Sequence, residues 1–276
     1  MSASISLCMI CRNEEATIFR CLHHVADFVD EMVIVDTGST DRTVERARRF
    51  TDRIFDFPWA DDFSAARNFS LARARGAWIL ILDADEVIYD AELAELRALV
   101  SGGHPTGVVL DRHEFEVNYD RLAFDHDIRW PAIETRVEPK LRLVRNTGSL
   151  RFVGRIHESL DAARPADLDI RPSLKFAHYR NRQMTQAKHD YYMGLEEESL
   201  MSEPRNSNAH YNALEAYVMR GWQARFNQAA RLVSYIEPRF VRQFDELRRR
   251  LDEIGWHAES GLIADLIATN ASAGAR

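Results

Sequence analysis

Lysine is nearly missing from this chain of 276 residues: only Lys140, Lys175 and Lys188 occur, and arginine supplies the rest of the 36 basic side chains. Arginine is the bidentate partner of carboxylate and phosphate, so the positive charge is of the kind that grips flat anions. It is not in excess, because 43 acidic residues leave a formal charge of -7. That sign excludes broad binding to nucleic acid or to an anionic membrane, both of which need a basic surface. Cysteine is also sparse, and three is an odd count. It speaks against a disulfide framework and for a reducing compartment, so the expected location is the cytoplasm. Cys8 and Cys11 sit inside an apolar run with no second pair, and read as small buried hydrophobes, not as metal or redox ligands. No run approaches the roughly 18 unbroken apolar residues of a membrane span. No integral membrane segment is expected, and peripheral association stays open. The opening MSASISLCMICRNEE has no basic leader, so no signal peptide is expected. Two phosphate-binding patterns are missing too, G-x-x-x-x-G-K-[ST] and G-x-G-x-x-G, which removes a Walker ATPase and a Rossmann dehydrogenase.

What is present is an ordinary globular composition, 46% hydrophobic with 12 Gly and 8 Pro, in a chain long enough for a core domain and a smaller appendage. The first hundred residues alternate strand and helix. Near-continuous apolar runs at 5–11, 31–36 and 78–82 predict strands, and a shorter one is expected at 53–57. Helices are predicted between them, one carrying Ile18, Leu22, Val25 and Val29 on a single face, one with Val44, Ala47 and Phe50, and others over 64–74 and 92–100. Apolar strands alternating with helices predict an α/β fold with a parallel sheet covered on both faces. Ligands of such sheets bind outside the carboxyl ends of the strands. Three strands here end in polar clusters, CRNEE, DTGSTD and DADE, which should converge on one crevice.

Further strands are expected at 107–110, 135–144 and 175–179. The arginine-rich KLRLVR reads most simply as an edge strand with an exposed basic face, with the lining of an acceptor groove as the alternative. After Gln183 the pattern is helical. Glu203-Pro204-Arg205 and Glu237-Pro238-Arg239 recur at the 34-residue spacing of a tetratricopeptide repeat. Tyr217, Ala230 and Pro238 fall on its large, small and proline positions, and Phe244, Leu247, Leu251, Ala264 and Ile267 continue the frame. The expected domains are 1–182, α/β, and 183–276, helical.

The like charges of DADE need a counter-ion. Asp83 and Asp85 offer hard oxygen ligands that suit Mg²⁺ or Mn²⁺ held together with a substrate's phosphates. Asp36 in DTGSTD lies where a base or ribose is gripped, with hydroxyls close to a helix start. Arg67 in SAARN lies near the same edge, within reach of a phosphate. Metal, arginine and nucleoside-seeking carboxylate together describe a nucleoside-diphosphate site.

SLCMICRNEEATIFRCL, VDEMVIVDTGSTDRTVERA, DDFSAARNFSLARARGAWILILDADE and FVGRIHESL resemble family 2 of the inverting glycosyltransferases, of GT-A fold, and among these the bacterial subgroup with tetratricopeptide-like C-terminal helices. The resemblance covers roughly residues 4 to 180. It implies that Asp85 holds a divalent metal, Mn²⁺ or Mg²⁺, on the diphosphate of a sugar nucleotide, foremost a UDP-sugar, with Asp83 on the ribose or the metal. It implies a donor site from Arg12, Asn13, Glu14, Asp36, Gly38, Ser39, Arg67, Asp83 and Ala84. Glu158 would be the general base, with His157 beside it, and His178 would complete the metal site. The reaction implied is a single displacement onto a glycan, a lipid-linked glycan or a peptide side chain. The C-terminal helices would offer a groove for a polypeptide or a face on which two subunits pair. Two other classes stay open: a nucleotidyltransferase, for which MICRNEE lacks the glycine-rich basic signature, and a helical-repeat interaction protein with a vestigial nucleotide-sugar domain.

Overall fold

The computed structural model describes residues 3–102, 106–117, 136–161, 168–181, 186–203 and 205–273. The apolar runs form β1 (Ile5–Cys11), β2 (Glu31–Asp36), β3 (Ile54–Asp56) and β4 (Trp78–Ile81), parallel to one another in the order β3-β2-β1-β4. Between them run α1 (Ile18–Val25), α2 (Thr43–Ala47) and α3 (Phe63–Leu71). Alternate residues of the strands serve opposite faces. Leu7, Met9, Ile34 and Leu80 join Ile18, Leu22 and Val25 of α1 in one core, while Cys8, Val33, Ile79 and Ile81 pack with Leu71 of α3 in another. Burial on both sides is why these strands are apolar throughout, each large side chain contributing about 1.5–3 kcal/mol. Gly76 stands where α3 hands over to β4, so close to β1 that a Cβ there would lie 2.6 Å from both the backbone nitrogen and Oγ of Ser6.

The rest of the sheet is mixed. The remaining elements are β5 (Glu86–Ile88), α4 (Asp90–Ser101), β6 (Gly107–Val117), β7 (Arg136–Arg145), β8 (Arg151–Val153), β9 (Ser159–Asp161) and β10 (Leu168–Asn181). The full order is β3-β2-β1-β4-β7-β6-β10-β5, with β8 and β9 in a separate two-stranded sheet. β7 runs antiparallel to both β4 and β6, and β5 runs antiparallel to β10 at the edge. The expectation of an exposed basic edge at KLRLVR is therefore overturned: β7 lies inside the sheet, and Arg142 is buried. The strand tolerates an interior arginine because its neighbours supply buried carboxylates.

By contact the chain divides into two compact units. One is Met1–Ala60, Ala65–Phe152 and Leu160–Met184; the other is Asp61–Ser64, Val153–Ser159 and Thr185–Arg276. Two short segments inside the expected α/β domain thus go with the helices.

The second unit contains α5 (Gln186–Ser202), α6 (Ser207–Met219), α7 (Gln223–Ala230), a 3-10 turn at Pro238–Phe240, α8 (Val241–Glu253) and α9 (His257–Ala273). Asn206 caps α6, its side chain accepting from Ala209 N, which satisfies one of the helix's open donors. Tyr217, Ala230, Phe244, Leu247 and Leu251 are buried in one core. On α9 Ile267 packs against that core as expected, but Ala264 is exposed and Ile263 is buried in its place. Pro204, the first proline of the recurring motif, lies outside the described residues. Among the described residues no helix is long and apolar enough to cross a membrane.

Candidate functional site

Two strand ends are laced into one surface. The β1–β2 register sets Cys11 opposite Asp36. Beyond it Asn13 adopts a left-handed backbone, φ 57, which asparagine accepts more readily than most side chains. Its N–H donates to Ser39 Oγ at 3.0 Å, and its Oδ1 accepts from Thr40 N at 2.8 Å. Glu14 N donates to Thr43 Oγ1 (2.7 Å) and Glu15 N to Asp41 Oδ2 (3.1 Å), so the loop after β1 is tied down residue by residue. Asp36 is buried and accepts from Gly38 N (3.2 Å), Ser39 N (3.0 Å) and Ser39 Oγ (2.5 Å). Gly38 takes φ 104, a turn that only glycine enters freely. Of the expected donor residues, Asn13, Asp36, Gly38 and Ser39 are thus held together. Arg12 is exposed beside them, and Glu14 accepts from Thr17 Oγ1.

The third strand end is held by a buried charge network. Cys8 pairs with Ile81 in the β1–β4 register, so Asp83 emerges near the level at which β1 ends. Glu86, with no exposed surface, accepts from Asp83 N at 3.0 Å and is ion-paired with Arg142 of β7. Arg67 of α3 donates to Asp83 Oδ1 at 2.8 Å, and Arg142 lies 3.8 Å from the other oxygen. Burial works against charge on Asp83, but Arg67 and Arg142 beside it hold its carboxyl well below the usual carboxylate range. Glu86 goes the other way: burial pushes it up more than Arg142 pulls it down. Ala84 is buried between the two aspartates.

Asp85 pairs with His178 of β10, Oδ2 to Nε2, at 3.2 Å. The other ring nitrogen lies 3.4 Å from Glu114 Oε1. Burial alone would lower the pKa of this imidazole, yet the carboxylates of Asp85 and Glu114 lift it to about 10. β10 brings the histidine there by antiparallel pairing, with His178 opposite Glu86. Asp85 offers a hard oxygen donor that suits Mn²⁺ or Mg²⁺, and His178 would add a nitrogen donor on giving up its ring proton. Among the described residues no group of three such ligands forms a metal cluster.

His157 and Glu158 lie in the second unit, on the segment 153–159 between β8 and β9. His157 Nε2 meets Glu196 Oε1 of α5 at 3.0 Å. The sequence reading missed Arg142, which pairs with Glu86, and Glu114, which faces the His178 ring and is itself paired with Arg112. Arg112 bridges Glu114 (2.6 Å) and Glu138 (2.7 Å). One signal was available: Lys140, Arg142 and Arg145 interrupt an otherwise apolar KLRLVR.

Residues 6–154 match the glycosyl transferase family 2 domain. Two curated relatives are a TPR repeat-containing protein of Synechococcus elongatus, 39% identical over 162 residues, and an uncharacterized glycosyltransferase of Rickettsia typhi, 35% identical over 82 residues. The alignments cover 58% and 30% of this chain, and it spans 36% and 28% of the length of those relatives. Among solved structures, glucosyl-3-phosphoglycerate synthase of Mycobacterium tuberculosis, in complex with Mn²⁺ and UDP-glucose, is 24% identical with a TM-score of 0.34, covering 42% of this chain and 44% of that one. The parallel strands, the laced loops after β1 and β2, and the DADE cluster all fall within or beside a matched domain that spans more than half of the sequence, and the chain belongs to glycosyl transferase family 2.

Proposed function

We propose that this chain transfers a sugar from a nucleoside-diphosphate donor, foremost a UDP-sugar, to an acceptor, inverting the anomeric centre in one displacement. The observation that carries the reading is the pairing of Asp85 with His178 next to an Asp83 already neutralised by Arg67. Such an arrangement holds one carboxylate–imidazole pair for a divalent cation and keeps the second carboxylate ionised beside it. A metal on Asp85 and His178 would act as a Lewis acid, neutralising charge that develops on the departing diphosphate. Asn13, Asp36, Gly38 and Ser39 offer the pre-shaped surface for the nucleoside, with Arg12 and Glu14 flanking it. Arg67 presents a guanidinium where diphosphate oxygens need one. Glu158, with His157 beside it, accepts the proton of the acceptor's nucleophile, a role worth about 10²–10⁴ in rate. The acceptor classes are a glycan, a lipid-linked glycan or a peptide side chain. The helices of the second unit bind a polypeptide acceptor or pair two subunits.

The test is a panel of UDP-, GDP- and dTDP-sugars with Mn²⁺, following thermal shift and nucleotide release. Stabilisation and slow hydrolysis with one donor are expected, and no response to any nucleotide would sink the reading. Asp85→Ala should abolish metal-dependent turnover while the melting temperature stays close to that of the parent chain.

A further inference from the structure

The segment that carries Glu158 is built into the helical unit. Gly154, at φ 96, lies so close to the cap of α6 that a Cβ there would stand 2.6 Å from Nδ2 of Asn206. Arg155 N donates to Glu203 Oε1 at 3.1 Å, and its guanidinium pairs with Glu198 at 2.5 Å. Glu203 is itself braced by Ser199 Oγ (2.6 Å) and Asn206 Nδ2 (2.9 Å). Ile156 is buried. His157 is then gripped twice, its ring by Glu196 of α5 and its carbonyl by Nδ2 of Asn208 of α6.

The second grip matters most. The carbonyl of His157 belongs to the planar peptide that joins it to Glu158, so a hydrogen bond on that oxygen fixes the plane from which Glu158 departs. Among the described residues His157 is one of three non-glycine residues of positive φ, at 52. Side chains with a Cβ avoid that region, and such a conformation persists only where its surroundings over-determine it. Here α5 and α6 provide those surroundings.

We propose that Glu196 and Asn208 are positioning residues for Glu158. By ring and carbonyl they hold His157 in the left-handed conformation and so set the direction in which Glu158 leaves the chain. The inference rests on the proposed role of Glu158.

The experiment uses the full chain with Mn²⁺ and UDP-glucose or UDP-N-acetylglucosamine, measuring hydrolysis, UDP affinity and hydrogen exchange of residues 153–160. Asn208→Asp is nearly isosteric and keeps the oxygen that accepts from Asn212, but removes the donor to His157. It should lower kcat about 10²-fold, the cost of a small misplacement of a reacting group. The KM for donor and the UDP affinity should stay within about twofold, and exchange of 153–160 should quicken. Glu196→Leu should do the same, while Glu196→Gln, whose amide oxygen still accepts from the ring, should retain most of kcat. Unchanged kcat in both Asn208→Asp and Glu196→Leu, or KM rising in step with the loss, overturns the inference. A parent chain that turns over no sugar nucleotide, or a fully active Glu158→Gln, overturns the functional reading beneath it instead.

Discussion

Replacing Arg142 by methionine isolates the charge network under the DADE cluster. Arg142 keeps 9% of its side chain exposed and Glu86 none, so the change leaves a carboxylate in the interior, accepting from the Asp83 N–H but without its ion-pair partner. Breaking a buried pair by removing one partner costs about 3–5 kcal/mol, because the surviving charge is uncompensated. In a unit of this size that lowers the melting temperature by about 6–20 °C. The loss should depend on pH in a fixed direction. Burial already raises the Glu86 carboxyl above its ordinary value, and without Arg142 to pull it down it rises further. A group whose native pKa exceeds its unfolded one binds more protons in the native state. Stability is therefore full below the unfolded value, about 4.3, and falls as pH rises through the native value. Arg142→Met should be close to the parent chain at the acid end and fall behind it toward pH 8. Adding Glu86→Gln should recover much of the loss and flatten the pH dependence. The assay is calorimetric or urea unfolding of parent, singles and double at several pH values. A single mutant within about 1 kcal/mol of the parent at pH 8, or a deficit that does not change with pH, refutes the reasoning.

Gly76→Ala forces a methyl group against the β1 backbone at Ser6, where nothing flexible can yield. It should cost about 1–3 kcal/mol or more in urea unfolding, the range for overpacking a filled interior. The three thiols are all buried, and burial pushes Cys8 up to about 12 and Cys11 and Cys21 upward with it. Since the thiolate is the reactive form, a disulfide reagent at pH 8 should label none of them at an appreciable rate in the native chain and all three after denaturation.

The order of strands and helices over the first hundred residues was legible because β1, β2 and β4 are buried on both faces and the helices between them show one apolar face. Both leave a period in neighbouring residues that needs no knowledge of the rest of the chain. The convergence of CRNEE, DTGSTD and DADE was legible too, since parallel strands with helical crossovers put their carboxyl ends on one side. The buried role of Arg142 was not. An arginine alternating with leucine looks amphipathic, and the carboxylate that draws it inside lies 56 residues away in sequence. His178, whose meeting with Asp85 spans 93 residues, was set beside it only by the family resemblance, since no local pattern joins residues so far apart.

Sequence by itself determined the alternation of strand and helix over the first hundred residues and the polar clusters at the strand ends, because local periodicity and side-chain type suffice for both. Tertiary structure alone decided that KLRLVR runs inside the sheet, that Asp83 and Glu86 are held by arginines from α3 and β7, and that residues 153–159 belong with the helices. The physical reason is common to all three. Burying a charge or a left-handed histidine is costly until its partner is in place, and that partner comes from a distant segment whose register only the folded chain sets.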